Sequence, residues 1–174
     1  MDIELNFRGT FPCAVDQKRR LTVPSRFAKA LTPRAKRTFV AVHGPERCLV
    51  LYPLDYWTTF QKNLQRARIS DAETRKGVRR LLASAEDVPM DNQNRISLTP
   101  ALLEYGRIRS DALLVGANER LELWSPEQWD DFMKDSPSIE TAYVKIEDII
   151  DKTNSEILEE REALSGSDEH STES

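Results

Sequence analysis

Val15-Asp16-Gln17-Lys18-Arg19-Arg20-Leu21-Thr22-Val23 and Met90-Asp91-Asn92-Gln93-Asn94-Arg95-Ile96-Ser97-Leu98 share one pattern. Each runs apolar, Asp, three polar residues, Arg, apolar, hydroxyl, apolar, and the two Asp–Arg pairs stand 75 residues apart. Farther along, CLVLYPLDYWTTF (Cys48 to Phe60) matches RLELWSPEQWDDF (Arg120 to Phe132) at an offset of 72. That match aligns Tyr52 with Trp124, Trp57 with Trp129 and Phe60 with Phe132. Two matches in the same order and at nearly the same offset identify a duplicated unit.

Each copy has the same predicted layout. An alternating run (Thr10 to Val15; Ala85 to Met90) leads into the Asp-x-x-x-Arg segment, and a second alternation (Leu21, Val23; Ile96, Leu98) leads out. This is strand, tight connection, strand. Short helices follow at Ser25–Leu31 and Pro100–Tyr105, the second opening on a proline suited to a first helical turn. Strand pairs come next, Thr38–Val42 with Leu49–Tyr52 and Ala112–Gly116 with Leu121–Trp124, divided by His43-Gly44-Pro45 and Ala117-Asn118-Glu119. Helices opening at Pro53-Leu54-Asp55 and Ser125-Pro126-Glu127 close the copies, with Ser125 a good cap. Between the copies, Ser70 and Glu73 have capping-box spacing ahead of Val78, Leu81 and Leu82, which predicts a linking helix.

An Asp and an Arg four residues apart could be a helical surface pair worth a few tenths of a kcal/mol. The flanks favour a hairpin connection instead, because Val15, Leu21 and Val23 alternate with period two and are partly β-branched. The Asp carboxylate would then hold turn amides, and Arg20 and Arg95 would stand at the start of a rigid strand. Structural pairing and contact with phosphate or guanine both remain open for these arginines on pattern alone.

The 174 residues suit one compact domain or two small ones. Their formal charge of −4 argues, at face value, against a nucleic-acid partner. Its distribution argues the other way. Residues 135–174 carry 12 acids and 3 bases, which leaves a net +5 on residues 1–134, and Asp16–Arg37 holds eight bases against one acid. No apolar run reaches the roughly 18–20 residues of a membrane span, and the first ten residues lack the layout of a secretory signal. Two cysteines, Cys13 and Cys48, make neither a disulfide framework nor a four-ligand zinc site, so a reducing, cytoplasmic setting is expected.

Phe7-Arg8-Gly9, VDQKRRLTVPSRF, LYPLDYW, MDNQNRISLTPALLEY and LELWSPEQW, taken together and in order over residues 7–134, resemble the MraZ family of bacterial transcriptional regulators. The resemblance implies an α+β, mostly β fold of two AbrB-like swapped-hairpin halves. These would form a pseudo-twofold β-barrel with flanking helices, followed by an acidic C-terminal tail. The implied boundaries are repeat one at 10–57, linking helices at 58–82, repeat two at 83–129, closing and C-terminal helices at 130–164, and a disordered tail at 165–174. It also implies a ring-shaped homo-oligomer that binds double-stranded DNA at repeated short boxes upstream of the division and cell-wall gene cluster, its own promoter included. A nucleoid-associated cytoplasmic protein follows, with no membrane or small-molecule substrate.

In that family the first motif reads Asp-x-Lys-Gly-Arg and its basic residues contact DNA. Asp16, Lys18 and Arg20 match, but Arg19 stands in place of Gly, and Asn94 stands there in the second copy. Asn accepts a positive φ fairly well and Arg poorly. The expected assignments are phosphate contacts from Lys18, Arg19, Arg26 and Lys29, base-edge readout by Arg20 and Arg95, and turn roles for Asp16, Asp91 and Asn94.

Other features read as structure. Arg75, Lys76, Arg79 and Arg80 form a basic helix face, in solvent or touching DNA or another subunit. Tyr52, Trp57, Trp124 and Trp129 recur at equivalent places, which favours packing over base stacking. Cys13, Cys48 and His43 have no third ligand or acidic partner at useful spacing, so Cys48 is expected to be a small buried hydrophobe. With six glycines, no phosphate loop and no His-based triad, no catalytic residue, metal or cofactor is expected. The competing class is an oligomeric scaffold or antitoxin-like module whose main partner is another protein. Ile139, Tyr143, Ile146, Ile149, Ile150, Ile157 and Leu158 predict an amphipathic helix that suits such a role. This tail would pack on the ring's face away from DNA, or screen the basic face.

Overall fold

The computed structural model describes residues 6–168, with side chains as far as Glu160. The chain divides into two units, residues 1–134 and residues 135–174. In the first unit, copy one supplies β1 (Phe7–Ala14), β2 (Arg20–Thr22), α1 (Ser25–Ala30), β3 (Thr38–His43) and β4 (Leu49–Pro53). Helices α2 (Leu54–Arg66) and α3 (Ala72–Ala83) lead to copy two: β5 (Glu86–Pro89), β6 (Arg95–Ser97), α4 (Pro100–Tyr105), β7 (Asp111–Asn118), β8 (Arg120–Trp124) and α5 (Pro126–Asp135).

The copies do not fold side by side; they exchange strands. β1 pairs with β7 and β3 with β5, so each copy's first strand completes the other copy's sheet. The β3–β4 and β7–β8 hairpins lie within the copies, and two further pairs sit on the pseudo-twofold axis. Leu21 faces Ile96 in β2–β6, and Val50 faces Glu122 in β4–β8, each residue opposite its own equivalent. The result is an antiparallel six-stranded sheet in the order β1-β7-β8-β4-β3-β5, with β2–β6 as a separate two-stranded ribbon. The Val15 amide donates to the Ser110 carbonyl, and the Met90 amide to that of Arg37, which ties the ribbon's two approaches to opposite edges of the sheet.

β3 and β4 are nearly continuous apolar runs, so both of their faces are covered. Phe39, Ala41, Leu49, Leu51, Leu121 and Leu123 point into the main core with Leu21, Val23, Phe27, Ile96, Leu98 and Leu102. Val40, Val42, Cys48, Val50 and Trp124 point the opposite way, where Trp57 of α2 and Trp129 of α5 cover them. The aromatic trios are duplicated as expected. Trp57 and Phe60 rings lie 5.3 Å apart beside Tyr52, and Trp129 and Phe132 rings 5.6 Å apart beside Trp124. Cys48 is fully buried, which pushes its thiol up to about 12.

Two details differ from the sequence reading. β1 begins at Phe7 rather than Thr10, because its partner β7 is long enough to pair all eight residues. The cap of α3 is Asp71, whose carboxylate accepts from the Thr74 amide at 2.7 Å, and Ser70 lies outside the helix with its carbonyl accepting from Arg75. The expected cap at Ser125 forms, with Oγ accepting from the Gln128 amide.

The second unit contains α6 (Ile139–Asp168), 30 residues long. It continues into the segment expected to be disordered, and the last six residues of that segment lie outside the described residues.

Candidate nucleic-acid interface

Both Asp-x-x-x-Arg segments are tight turns of the same construction. Asp16 Oδ1 accepts from the amides of Lys18 and Arg20, each at 2.9 Å, while Oδ2 receives Nε of Arg20 at 2.9 Å and Nη2 at 2.8 Å. Asp91 repeats this with the amides of Gln93 and Arg95 on Oδ1 and the Arg95 guanidinium on Oδ2, all at 2.8–2.9 Å. Main-chain bonds close each turn: Asp16 N–H to Arg20 C=O at 2.8 Å, and Asp91 N–H to Arg95 C=O at 2.9 Å. Charge-assisted bonds to one carboxylate are the strong kind. Both carboxyls therefore sit below the ordinary carboxylate range, Asp16 chiefly through the Arg20 side chain and Asp91 chiefly through the Arg95 amide.

The fourth residue of each turn is left-handed, Arg19 at φ 58° and Asn94 at φ 59°. Arg19 thus adopts the backbone that Gly or Asn would fill with less strain. Its side chain is exposed, as is that of Lys18.

The ribbon brings the two turns together. The Val23 amide donates to the Asn94 carbonyl at 2.8 Å, and the Leu98 amide to the Arg19 carbonyl at 2.9 Å, so each turn is locked to the strand leaving the other. Leu21 and Ile96 fill the inner face, while Arg20, Thr22, Arg95 and Ser97 occupy the outer one. Arg20 opposes Ser97 and Arg95 opposes Thr22, which sets the arginines on a diagonal roughly 7–8 Å apart. Pairing to Asp occupies Nε and one Nη2 proton of each guanidinium. A guanidinium has five N–H donors, so donors remain after this bond.

Helix α1 follows β2. It buries Phe27 and Ala28 and exposes Arg26 and Lys29. The Arg26 guanidinium lies over the rings of Phe11 and Phe27, 5.4 and 5.6 Å from their centres, so part of its work is packing. The structure thus gathers Lys18, Arg19, Arg20 and Arg95 around the ribbon, with Arg26 and Lys29 on the helix leaving it.

Arg37 is a member of this site that sequence reasoning missed. Its Nη2 donates to the Asp91 carbonyl at 2.7 Å and to Asn94 Oδ1 at 2.9 Å, bracing the second turn from outside. The corresponding place near the first turn is held by Ser110, whose carbonyl takes the Val15 amide while its hydroxyl turns to Asp111. The duplication that exposes the turns hides this residue, because its counterpart has a different side chain.

His43 stacks on Tyr105 with ring centres 3.7 Å apart, remote in role from these turns. Among the described residues, no three His, Cys, Asp or Glu side chains are grouped so as to hold a metal ion, and no helix is long and apolar enough to cross a membrane.

Two consecutive stretches, residues 6–80 and 81–145, each match the family model described as "MraZ protein, putative antitoxin-like". The chain belongs to the MraZ family. The double match coincides with the duplicated unit, so family and internal repeat rest on the same residues. Curated MraZ relatives include the transcriptional regulator MraZ of Desulfitobacterium hafniense, 37% identical over 79% of this chain and 91% of the relative. That of Thermomicrobium roseum is 38% identical over 71% of this chain and 84% of the relative. The Natranaerobius thermophilus MraZ is 31% identical over 76% and 90%.

Proposed function

We propose that this chain is a sequence-specific DNA-binding regulator of transcription that presents its β2–β6 ribbon and the two flanking turns to the duplex. The observation that carries this reading is the locking of both Asp-x-x-x-Arg turns onto one outward face, with cations on each side. A two-stranded ribbon fits the major groove. Lys18, Arg19 and Lys29 serve as phosphate contacts, which fix position without reading sequence. Arg26 joins them from its aromatic platform. Arg20 and Arg95 present the donors left over from their Asp partners to base edges.

A net +5 on the 134-residue body is modest, so one chain holds DNA loosely. A ring-shaped homo-oligomer makes successive contacts intramolecular and gains affinity through effective concentration. The names of the relatives support a regulator of transcription, and the family resemblance in the doubled motif is what suggests repeated short boxes ahead of the division and cell-wall gene cluster, including this protein's own promoter. A cytoplasmic, nucleoid-associated regulator without catalytic activity follows from the same reading.

The test is a footprint of the purified protein on its own upstream region, followed by a salt titration of the protected fragment. Protection of regularly spaced boxes, lost steeply as salt rises through counterion release, is expected. Uniform, sequence-blind protection would overturn the reading. The exposed apolar residues of α6 favour a second possibility, a scaffold or antitoxin-like module docking another protein, whose binding would respond little to salt.

A further inference from the structure

Helix α6 carries large apolar side chains in water. Ile139, Tyr143, Ile146, Ile150 and Ile157 are 43–66% exposed, and Ile149 and Leu158 beside them are exposed as well. The five stand 4, 3, 4 and 7 residues apart, the last step spanning Thr153 at the missing position. This 4-3 spacing places them at the core positions of a coiled-coil seam.

We infer that α6 is a self-association helix, in which the 139–157 seam packs in parallel and in register against the same seam of a further copy of this chain. Several observations choose that occupant. A strict heptad seam is complementary to itself, each side chain entering a gap between four of its neighbour's. The area is sufficient: five side chains of roughly 100 Å² exposed each bring two faces to about 1,000 Å², which a specific interface needs at the least. Charge is compatible too. On the heptad set by Tyr143, Ile150 and Ile157, Asp148, Asp151 and Glu159 turn away from the seam. In parallel register Glu147 then flanks Ala142 of the second copy and Ile149 flanks its Asn154, so no carboxylate meets another there. The family match ends at residue 145, so most of this seam lies beyond the part shared with the family. Isoleucine at both core positions admits three or four strands as readily as two.

The test uses the full chain with Cys13→Ser, leaving the buried Cys48 as the one native thiol. Ile150→Cys adds a thiol on the seam and Asp148→Cys adds one on the outer face. After mild oxidation, non-reducing gels should show covalent dimer from Ile150→Cys at least fivefold above Asp148→Cys. Adding Ile146→Asp and Ile157→Asp to the Ile150→Cys chain should abolish it, while circular dichroism confirms that the body stays folded. Equal yields from the two cysteines, or a yield indifferent to the aspartates, overturns the proposal. Operator binding is measured separately, so failure of the DNA reading would leave this result interpretable.

Discussion

Asp16 and Asp91 each hold two backbone amides and one guanidinium on a single carboxylate, and both are ionised when they do so. Their folded values lie below the unfolded 3.8, so the stabilisation is complete above the ordinary carboxylate range and is lost as pH falls through the depressed values. Thermal melts should therefore be insensitive to these groups from pH 7 to pH 5. Below about pH 4 the wild type should lose more stability than the double variant Asp16→Asn, Asp91→Asn. Arg20→Ala should weaken operator binding by about 1–3 kcal/mol. Unchanged gel-shift affinity at matched salt, with the oligomer intact, would remove Arg20 from the interface. Arg19 offers a cleaner separation of roles, since Asn adopts its left-handed backbone with less strain than Arg. Arg19→Asn should raise the melting temperature slightly and still flatten the salt dependence of DNA binding, by about one in log–log slope per chain engaged. The two turns were legible because their Asp–Arg pairs are doubled and flanked by alternation. Arg37 was not, because contacts spanning 54 and 57 residues leave no periodic trace and the hydroxyl of its counterpart, Ser110, turns to Asp111 instead.

At the scale of elements, the strand exchange decides how firmly the turns are held. β1 runs directly into the first turn, and its pairing with β7 places Gly9 opposite Gly116. A β-carbon on Gly116 would stand 2.3 Å from the Arg8 amide nitrogen and 2.5 Å from the Phe7 carbonyl carbon, so the strands approach too closely for any side chain. Gly116→Val should cost about 2–4 kcal/mol in urea unfolding, because β1 must peel away to admit it. A loss below 0.5 kcal/mol, taken as a rough threshold for neutral surface changes, would show that β1 is loosely held. Short helices and strand cores were readable from periodicity and caps, Pro100–Tyr105 among them. Strand ends were not. The residues Phe7-Arg8-Gly9 carry no alternation of their own and become strand only because β7, about a hundred residues away, supplies the register. The α3 cap was misplaced by one residue because Ser70 and Asp71 are both good caps, and backbone geometry chooses between them.

For the whole molecule, the charge count that first argued against DNA is a sum over two different units. The body is net positive, and the unit beginning at Asp135 carries all of the excess acid. With Lys18, Arg19, Arg26 and Lys29 on phosphates, the log–log salt slope should be about −3.6 for each chain engaged. A slope near zero would point to apolar docking instead. The duplication also has a consequence for the shape of the target. The two turns share their backbone but not their side chains: Lys18 and Arg19 on one, Gln93 and Asn94 braced by Arg37 on the other. A symmetric pair would read a palindrome. Here every chain has a head and a tail, so if the ribbon is the DNA-binding face proposed above, the sequence it meets has a direction, and copies set head to tail along the duplex would require direct rather than inverted repeats.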